Sequence, residues 1–309
     1  MDFTLSEEHQ MLKDLVARFV DDELMPLEAN VLAREIKGEE CRLTAEEEAP
    51  LLEQCRELGL WGLDVPEEFG GADLPAVAMV GVNEEMARTV VPFDFPPDSP
   101  NLHMLMATCD DRQRKLYLDP YAKGEAHSAI AISEPGAGGD PQAMATTAVQ
   151  DGDDWIINGR KIWISRAARA DFIIVMAVTE KGKGAHGGIT AFVVEKDTPG
   201  MIIERAIPML AGHTTYELVF DDCRVSKSQV LGKMGYGFAP MQLRLTVRWL
   251  QMGAWGVGMA RRALDMMCEH ASQRVTFGTL LADCQAVQWW IADAVTKIHA
   301  CRLMVYDAA

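Results

Sequence analysis

Two short segments near the middle of the chain contain the residues best suited to chemistry. Residues 130–140 read IAISEPGAGGD, an apolar run that enters a loop rich in proline and glycine. Such a loop exposes several backbone N–H groups and one hydroxyl, and its glycines let a flat heterocycle or an anionic group approach closely. Taken alone, a loop of this composition is more often an ordinary turn.

The second segment, residues 158–165, reads NGRKIWIS. Its tryptophan, Trp163, lies in a β-prone run, and an exposed tryptophan on a strand can stack against a ring. A single tryptophan on a strand is, however, usually part of the core. The two segments together define a candidate binding site whose ligand the residue types alone do not identify.

Signatures of several common enzyme classes are absent from the sequence. It contains no GxGxxG after a strand, no GxxxxGK, no HExxH and no GxSxG. Nicotinamide-dependent Rossmann enzymes, zinc hydrolases and serine esterases are therefore disfavoured. The seven histidines show no ligand spacing, so no metal site is predicted.

Charge and cysteine usage narrow the class of protein further. The formal net charge of −17 disfavours a nucleic-acid partner, because phosphate binding needs clustered lysine and arginine. The seven cysteines form no CxxC pair, which indicates free thiols in a reducing compartment. No basic leader and no membrane-spanning apolar run is visible. We expect a cytoplasmic protein without membrane insertion.

The pattern of elements predicts an α+β multidomain fold. An N-terminal α-helical domain (1–122) is expected, with helices that begin at caps formed by Thr4 and Thr44. Gly59 is expected to end the second of these helices. A middle antiparallel β domain (123–233) follows, with turns expected at Asp151-Gly152, Asn158-Gly159 and Gly187-Gly188. The last domain (234–309) is expected to be a helical bundle. Its final helical pattern continues to residue 309 without a stop signal, so we expect this bundle to be incomplete.

The two central segments together resemble the acyl-CoA dehydrogenase family, whose middle domain carries a "TEPGAGSD" loop and an "NGxKxWIT" strand. The resemblance extends along the whole chain. Residues 60–71 (LWGLDVPEEFGG) are similar to a signature of the N-terminal domain. Three more segments are similar to the passage into the C-terminal helices and to the family's RxxFG…Q element: residues 220–225 (FDDCRV), 231–238 (LGKMGYGF), and 274–278 (RVTFG) with Gln285.

This resemblance implies an FAD-dependent oxidoreductase that converts an acyl-CoA to a trans-2-enoyl-CoA and passes electrons to an electron-transfer flavoprotein. It also implies which residues contact the cofactor. Ile132 and Ser133 would hold the pyrimidine edge of the flavin, Trp163 would pack beside the ring, and Ser165 would hydrogen-bond near N5. FAD of the adjoining subunit would be contacted by Arg274, Phe277 and Gln285. Shared cofactor sites imply a homodimer or homotetramer.

The sequence departs from the family pattern where substrate chemistry occurs. The family's usual catalytic glutamate belongs to a late Glu-Gly-Thr segment, so we expect the base beyond Ala309 and predict no catalytic residue within the chain. Gly139 and Arg248 are the predicted substrate-binding residues, but Gly139 replaces a common serine. Counting forward from Phe238, or back from Gly258, places the family arginine position on Trp249, one residue or about 100° of helix past Arg248.

Two other functions fit the same fold. An acyl-CoA oxidase would pass the electrons to oxygen. A catalytically silent scaffold that binds FAD or acyl-CoA would account for the missing base and the displaced arginine. The sequence does not specify the length or branching of the acyl chain.

Overall fold

The computed structural model describes residues 5–97, 99–209 and 213–309. Thr4, the first predicted cap, lies outside these residues. The first helix, α1 (Glu7–Phe19), begins after Ser6, whose hydroxyl accepts a hydrogen bond from the backbone N–H of His9 at 3.2 Å. A π-helical turn and a 3-10 turn that contains Pro26 follow α1.

The helices before the sheet are short. Their bounds are α2 (Glu28–Ile36), α3 (Ala45–Glu57), α4 (Ala76–Met86), α5 (Ser99–Thr108), α6 (Asp111–Gln113) and α7 (Asp119–Ala122). The predicted cap of α3 is confirmed: Thr44 and Glu47 form a reciprocal capping box. The predicted end of α3 is also confirmed, because Gly59 follows it with φ of +71°.

The middle of the chain forms one eight-stranded sheet. Its strands are β1 (Ser128–Ala131), β2 (Thr147–Asp151), β3 (Asp154–Ser165), β4 (Phe172–Val178), β5 (Ile189–Glu195), β6 (Met201–Pro208), β7 (Thr214–Ser226) and β8 (Val230–Leu231). The order across the sheet is β6-β7-β3-β2-β4-β5-β8, and β1 also pairs with β4. The β4 pairings with β1 and β2 are parallel, and the other pairings of these eight strands are antiparallel.

The prediction of a turn at Asn158-Gly159 is wrong. Both residues lie inside β3, where the pairing with β7 shifts register. The Asn158 amide donates to the Asp222 carboxylate at 3.0 Å and its carbonyl accepts from the Asp222 N–H at 2.8 Å. Gly159 has φ of +151°, and a Cβ there would lie 2.4 Å from Thr146 Oγ1. The glycine is therefore needed for a bulge and a close backbone approach within a strand.

Strand β4 separates two apolar clusters. Because side chains alternate across a strand, Ile174 and Met176 pack with residues of α5 and neighbouring helices, whereas Ile173 and Val175 pack with residues of β3 and β5. All four side chains are fully buried or nearly so. A strand buried on both faces reads as a continuous apolar run, as FIIVMAV does.

The C-terminal part of the chain consists of two long helices, α8 (Phe238–Gln273) and α9 (Gln285–Ala308). A two-stranded hairpin, β9 (Val275–Thr276) and β10 (Thr279–Leu280), connects them. Helices therefore precede and follow a β domain, which confirms the predicted fold class. In the described part of the chain, no helix combines the length and apolar character needed to cross a bilayer.

By contacts, the chain divides into two compact units. One comprises residues 1–33, 74–93 and 247–309; the other comprises residues 34–73 and 94–246. In the first unit, the buried carboxylates of Glu84 and Glu85 bind Arg261, and Glu84 also binds Arg302. These units cut across the domains predicted from the sequence (1–122, 123–233 and 234–309), whose boundaries stay a prediction.

Candidate functional site

Hydrogen bonds fix the loop after β1 against β3. The Lys161 ammonium donates to the carbonyl oxygen of Ile132 at 3.0 Å, and the N–H of Ile162 donates to the carbonyl oxygen of Ser133 at 2.9 Å. Consecutive loop residues thus pair with consecutive strand residues. The structure thereby brings Ile132 and Ser133, predicted from one motif, next to the strand that carries Trp163 from the other.

Trp163 has an unusual backbone and an exposed ring. Its φ is +63°, in the left-handed region, at a point in β3 where the pairing with β7 shifts register between Lys161 and Ile164. Its side chain is 51% exposed, whereas Ile162 and Ile164 beside it are buried. A bulky residue at positive φ costs roughly 1–3 kcal/mol and is concentrated at functional sites. The bulge presents a large ring to the surface of this unit.

Two hydroxyls accompany the ring. Ser133 is partly exposed at the loop, and Ser165 is exposed two residues beyond Trp163. Ser165 Oγ lies 3.1 Å from Nε2 of His213. We call the group formed by Ile132, Ser133, Trp163 and Ser165 the cradle. Backbone N–H groups and hydroxyls can donate hydrogen bonds to a flavin, and an aromatic face can pack beside its ring, so these residues fit the cofactor that the resemblance implies.

A buried ion pair, to which no motif had assigned a role, supports the cradle. Lys161 is fully buried, and its ammonium lies 2.8 Å from Oε1 of Glu134. Burial lowers the pKa of Lys161 to about 8, although the Glu134 charge acts to raise it. Burial acts to raise the pKa of Glu134, but the Lys161 charge and the hydrogen bonds hold that pKa below its ordinary value. Alternation along the strand indicated that Lys161 is buried, because it is in phase with the inward-facing Trp155 and Ile157.

Gly139, a predicted substrate-binding residue, lies on the exposed side of the same loop. A Cβ at this position would meet no atom within 4 Å, and its φ lies outside the left-handed region. Neither space nor backbone conformation in this unit therefore requires a glycine. A serine fits this position without rearrangement of its neighbours.

The predicted contacts to a second subunit's cofactor lie in the other compact unit. Phe277 is entirely exposed at the tip of the β9–β10 hairpin, with φ of +54°, and Gly278 follows with φ of +79°. Two successive positive φ values are typical of a type I′ hairpin turn. Arg274 precedes the hairpin and Gln285 begins α9, and both side chains are exposed. The turn holds an aromatic ring away from its own unit.

Arg248 is held by its own helix. Its guanidinium stacks over the ring of Trp255 at 4.3 Å and donates to Oε1 of Gln251 at 3.2 Å. Trp249, the position at which the counted motif expects the family arginine, is more than half exposed. A role for Arg248 in substrate binding stays a prediction, as do the roles of Gly139 and of the cofactor-contacting residues.

Comparison with known proteins identifies the family. The models of the N-terminal, middle and C-terminal domains of acyl-CoA dehydrogenases match residues 6–125, 129–223 and 229–309. The (R)-benzylsuccinyl-CoA dehydrogenase of Thauera aromatica is 41% identical across the whole of this chain and 78% of its own length. This chain belongs to the acyl-CoA dehydrogenase family. It is accordingly an oxidoreductase from a family of flavoproteins.

Two solved structures agree with the family in fold. Butyryl-CoA dehydrogenase from Megasphaera elsdenii is 30% identical with a TM-score of 0.85, over all of this chain and 80% of its own. The FAD complex of PigA is 27% identical with a TM-score of 0.84, over 99% of this chain and 79% of its own. Both likenesses extend through the helical regions and the β domain of this acyl-CoA dehydrogenase family member.

Proposed function

We propose that the protein catalyses the FAD-dependent α,β-dehydrogenation of an acyl-CoA to a trans-2-enoyl-CoA. The observation that carries this proposal is the half-exposed ring of Trp163, held on a left-handed bulge beside Ser133. A strained aromatic residue beside exposed donors is expected where a flat cofactor binds. Membership of the acyl-CoA dehydrogenase family supports the choice of cofactor and reaction.

Each cradle residue has a distinct proposed role. The backbone N–H groups of Ile132 and Ser133 and the Ser133 hydroxyl would bind the pyrimidine edge of the flavin. Trp163 would pack beside the ring, and Ser165 would donate a hydrogen bond near N5. FAD, when bound, would supply the acceptor for the hydride that leaves the β-carbon. Fixed donors at these positions stabilise the negative charge that reduction adds to the cofactor.

Removal of the α-proton requires a base, and the start of α8 does not provide one. No aspartate or glutamate occurs between Lys233 and Arg262. The proton would therefore pass to a carboxylate on another segment. Gly139 and Arg248 are the residues of the described chain that we propose lie along the acyl-CoA, with Gly139 in place of the serine common in the family's loop pattern.

The working enzyme is proposed to be a homodimer or homotetramer. Phe277, exposed on a hairpin tip, and the exposed side chains of Arg274 and Gln285 would bind FAD held by a second copy of the chain. The arginine fork suits a pyrophosphate, because it donates two parallel hydrogen bonds. An electron-transfer flavoprotein is the proposed acceptor of the electrons.

The test is anaerobic mixing of the full-length gene product, loaded with FAD, with a panel of acyl-CoA thioesters. Benzylsuccinyl-CoA is the first substrate to include, because the relative from Thauera aromatica acts on it and is 41% identical. The absorbance of oxidised flavin should disappear with at least one thioester. Failure of every thioester to bleach the bound flavin would refute the dehydrogenase function. Reoxidation by oxygen instead of an electron-transfer flavoprotein would identify an oxidase.

A silent binding scaffold is the second candidate. The stacking of Arg248 on Trp255 and the absence of a carboxylate from the first part of α8 favour it. A scaffold would retain flavin and bind acyl-CoA, but no thioester would reduce the flavin. Equilibrium binding of a non-reactive acyl-CoA analogue, measured beside the bleaching experiment, separates the two functions.

A further inference from the structure

The fully buried Lys161 is the feature that the proposed function leaves unexplained. The side chain has no exposed surface, yet it carries an ammonium whose desolvation is unfavourable. Its two hydrogen-bond acceptors are the Glu134 carboxylate at 2.8 Å and the Ile132 carbonyl oxygen at 3.0 Å. In the low-dielectric interior, such a charge acts more strongly on neighbouring dipoles than it would in water.

Glu134 also accepts hydrogen bonds from two backbone N–H groups. Its Oε2 accepts from the N–H of Ala145 at 2.6 Å, and its Oε1 accepts from the N–H of Thr146 at 3.0 Å as well as from Lys161. The carboxylate is thus bound on one side by the segment before β2 and on the other by the lysine. Lys161 lies between this carboxylate and the Ile132 carbonyl.

The geometry of the peptide bond links the Ile132 carbonyl to a cradle donor. In a trans peptide, the carbonyl of Ile132 and the N–H of Ser133 belong to one plane and point in opposite directions. A cation on the carbonyl polarises the whole peptide unit and makes its N–H a stronger donor. The Lys161 ammonium, bound to the Ile132 carbonyl, therefore acts on the Ser133 N–H on the opposite side of the same peptide bond.

We propose that Lys161 is a positioning residue whose charge, transmitted through the Ile132–Ser133 peptide, favours the reduced form of the flavin. This inference rests on the proposed function, since it requires FAD at the cradle. Reduction adds negative charge to the pyrimidine edge, and a donor polarised by a cation binds that charge more tightly than the oxidised ring. Removal of the Lys161 charge then makes the flavin harder to reduce.

The experiment compares neutral and charged replacements in the FAD-loaded protein. Lys161→Met removes the charge at nearly constant volume, Lys161→Gln retains a donor without charge, and Lys161→Arg retains the charge. The midpoint potential of the flavin is measured by spectroelectrochemistry, together with the affinity for oxidised FAD. Both neutral variants should shift the potential to more negative values. Their affinity for the reduced cofactor, relative to the oxidised one, should fall on the order of tenfold. Lys161→Arg should remain close to the unsubstituted protein.

Two control variants separate charge from loosening of the fold. Ile157→Ala leaves a cavity on the same face of β3 without a change of charge, because Ile157 is fully buried. Lys227→Met removes an exposed lysine that pairs with Asp153 in the same unit. Neither should change the potential, although Ile157→Ala should lower the melting temperature. If Lys161→Met does not fold, the double variant Lys161→Met/Glu134→Gln avoids an unpaired carboxylate and should still lower the potential.

The outcomes are distinguishable from those of the proposed function. Neutral variants that bind FAD at the wild-type potential would overturn the inference, and so would an equal shift in Ile157→Ala. Either result would leave the dehydrogenase function intact. An unsubstituted protein that binds no flavin would overturn the proposed function and this inference together.

Discussion

Replacing each of two tryptophans on the same strand with alanine should affect different properties of the protein. Trp163 is 51% exposed on the bulge of β3, whereas Trp155 is 6% exposed and packs against Phe192 with ring centroids 5.7 Å apart. Trp163→Ala should mainly weaken FAD binding. Trp155→Ala should mainly lower the free energy of unfolding. The same chemical change thus tests whether the exposed ring serves a ligand.

The magnitudes follow from the exposed area. A tryptophan side chain has roughly 200–250 Å² of surface, so the exposed half offers about 100–125 Å² to a ligand. At about 25 cal/mol per Å², complete burial of that area contributes at most about 3 kcal/mol. We expect Trp163→Ala to raise the Kd for FAD about 5- to 150-fold, which corresponds to about 1–3 kcal/mol. Trp155→Ala should cost about 3–5 kcal/mol of stability through transfer and cavity terms.

Two measurements on each variant are sufficient. Urea denaturation of the apoprotein gives the free energy of unfolding, and titration with FAD, followed by quenching of flavin fluorescence, gives the Kd. Trp163→Ala should lose no more than about 1.5 kcal/mol of stability, because half of its ring is already in water. The reasoning would be refuted if Trp163→Ala were as destabilising as Trp155→Ala while FAD bound with unchanged affinity.

Three further predictions follow from the same structure. Gly159→Ala should destabilise the protein by more than about 2 kcal/mol, because its Cβ would overlap a neighbouring threonine, whereas Gly139→Ser should change stability by less than about 0.5 kcal/mol; urea denaturation of both variants tests this. Burial raises the pKa of the Cys55 thiol to about 12, so at pH 8 iodoacetamide should alkylate the exposed Cys268 and leave Cys55 unmodified until the protein unfolds, as measured by mass spectrometry. Burial lowers the pKa of Lys161 to about 8, whereas a lysine in the unfolded chain has a pKa of about 10.4. Between these pH values the unfolded chain therefore binds more protons than the folded one, so the Lys161 contribution to stability should rise with pH. Urea titrations of Lys161→Met should show no such rise.

Each of these has a clear contrary result. Equal destabilisation by Gly159→Ala and Gly139→Ser would show that the strand bulge has no need of glycine. Alkylation of Cys55 at the rate of Cys268 in the folded protein would contradict its burial. A wild-type stability that does not rise relative to Lys161→Met between pH 8 and 10 would mean that the lysine pKa is not lowered.

The order of elements could be predicted from the sequence because local signals specify it. The capping box at Thr44 and Glu47 and the glycine after α3 are local hydrogen-bonding and backbone effects, and both were predicted correctly. The continuous apolar run of β4 was likewise sufficient to locate a strand. The turn at Asn158-Gly159 was predicted wrongly, because the same dipeptide suits both a hairpin turn and a strand bulge. Only the neighbouring Thr146 and Asp222 distinguish the two.

The candidate site likewise combines residues that motifs indicated with geometry that only the fold decides. The motifs named Ile132, Ser133, Trp163 and Ser165 through resemblance to a family. Nothing local to the sequence specified the left-handed φ of Trp163 or the pairing of Ile162 with Ser133, because both depend on how β3 meets β7 and the loop after β1.

The sequence by itself determined most helical and strand segments through periodicity and capping signals. Its short motifs indicated the family by resemblance and supplied the residue types available to bind a cofactor. The tertiary structure decided which of those residues act together. Lys161 lies beyond hydrogen-bonding reach of Ile132 along an extended chain, and folding joins them at 3.0 Å by placing β3 beside the loop. A buried charge acquires its effect from the groups around it, and those groups come from distant parts of the chain.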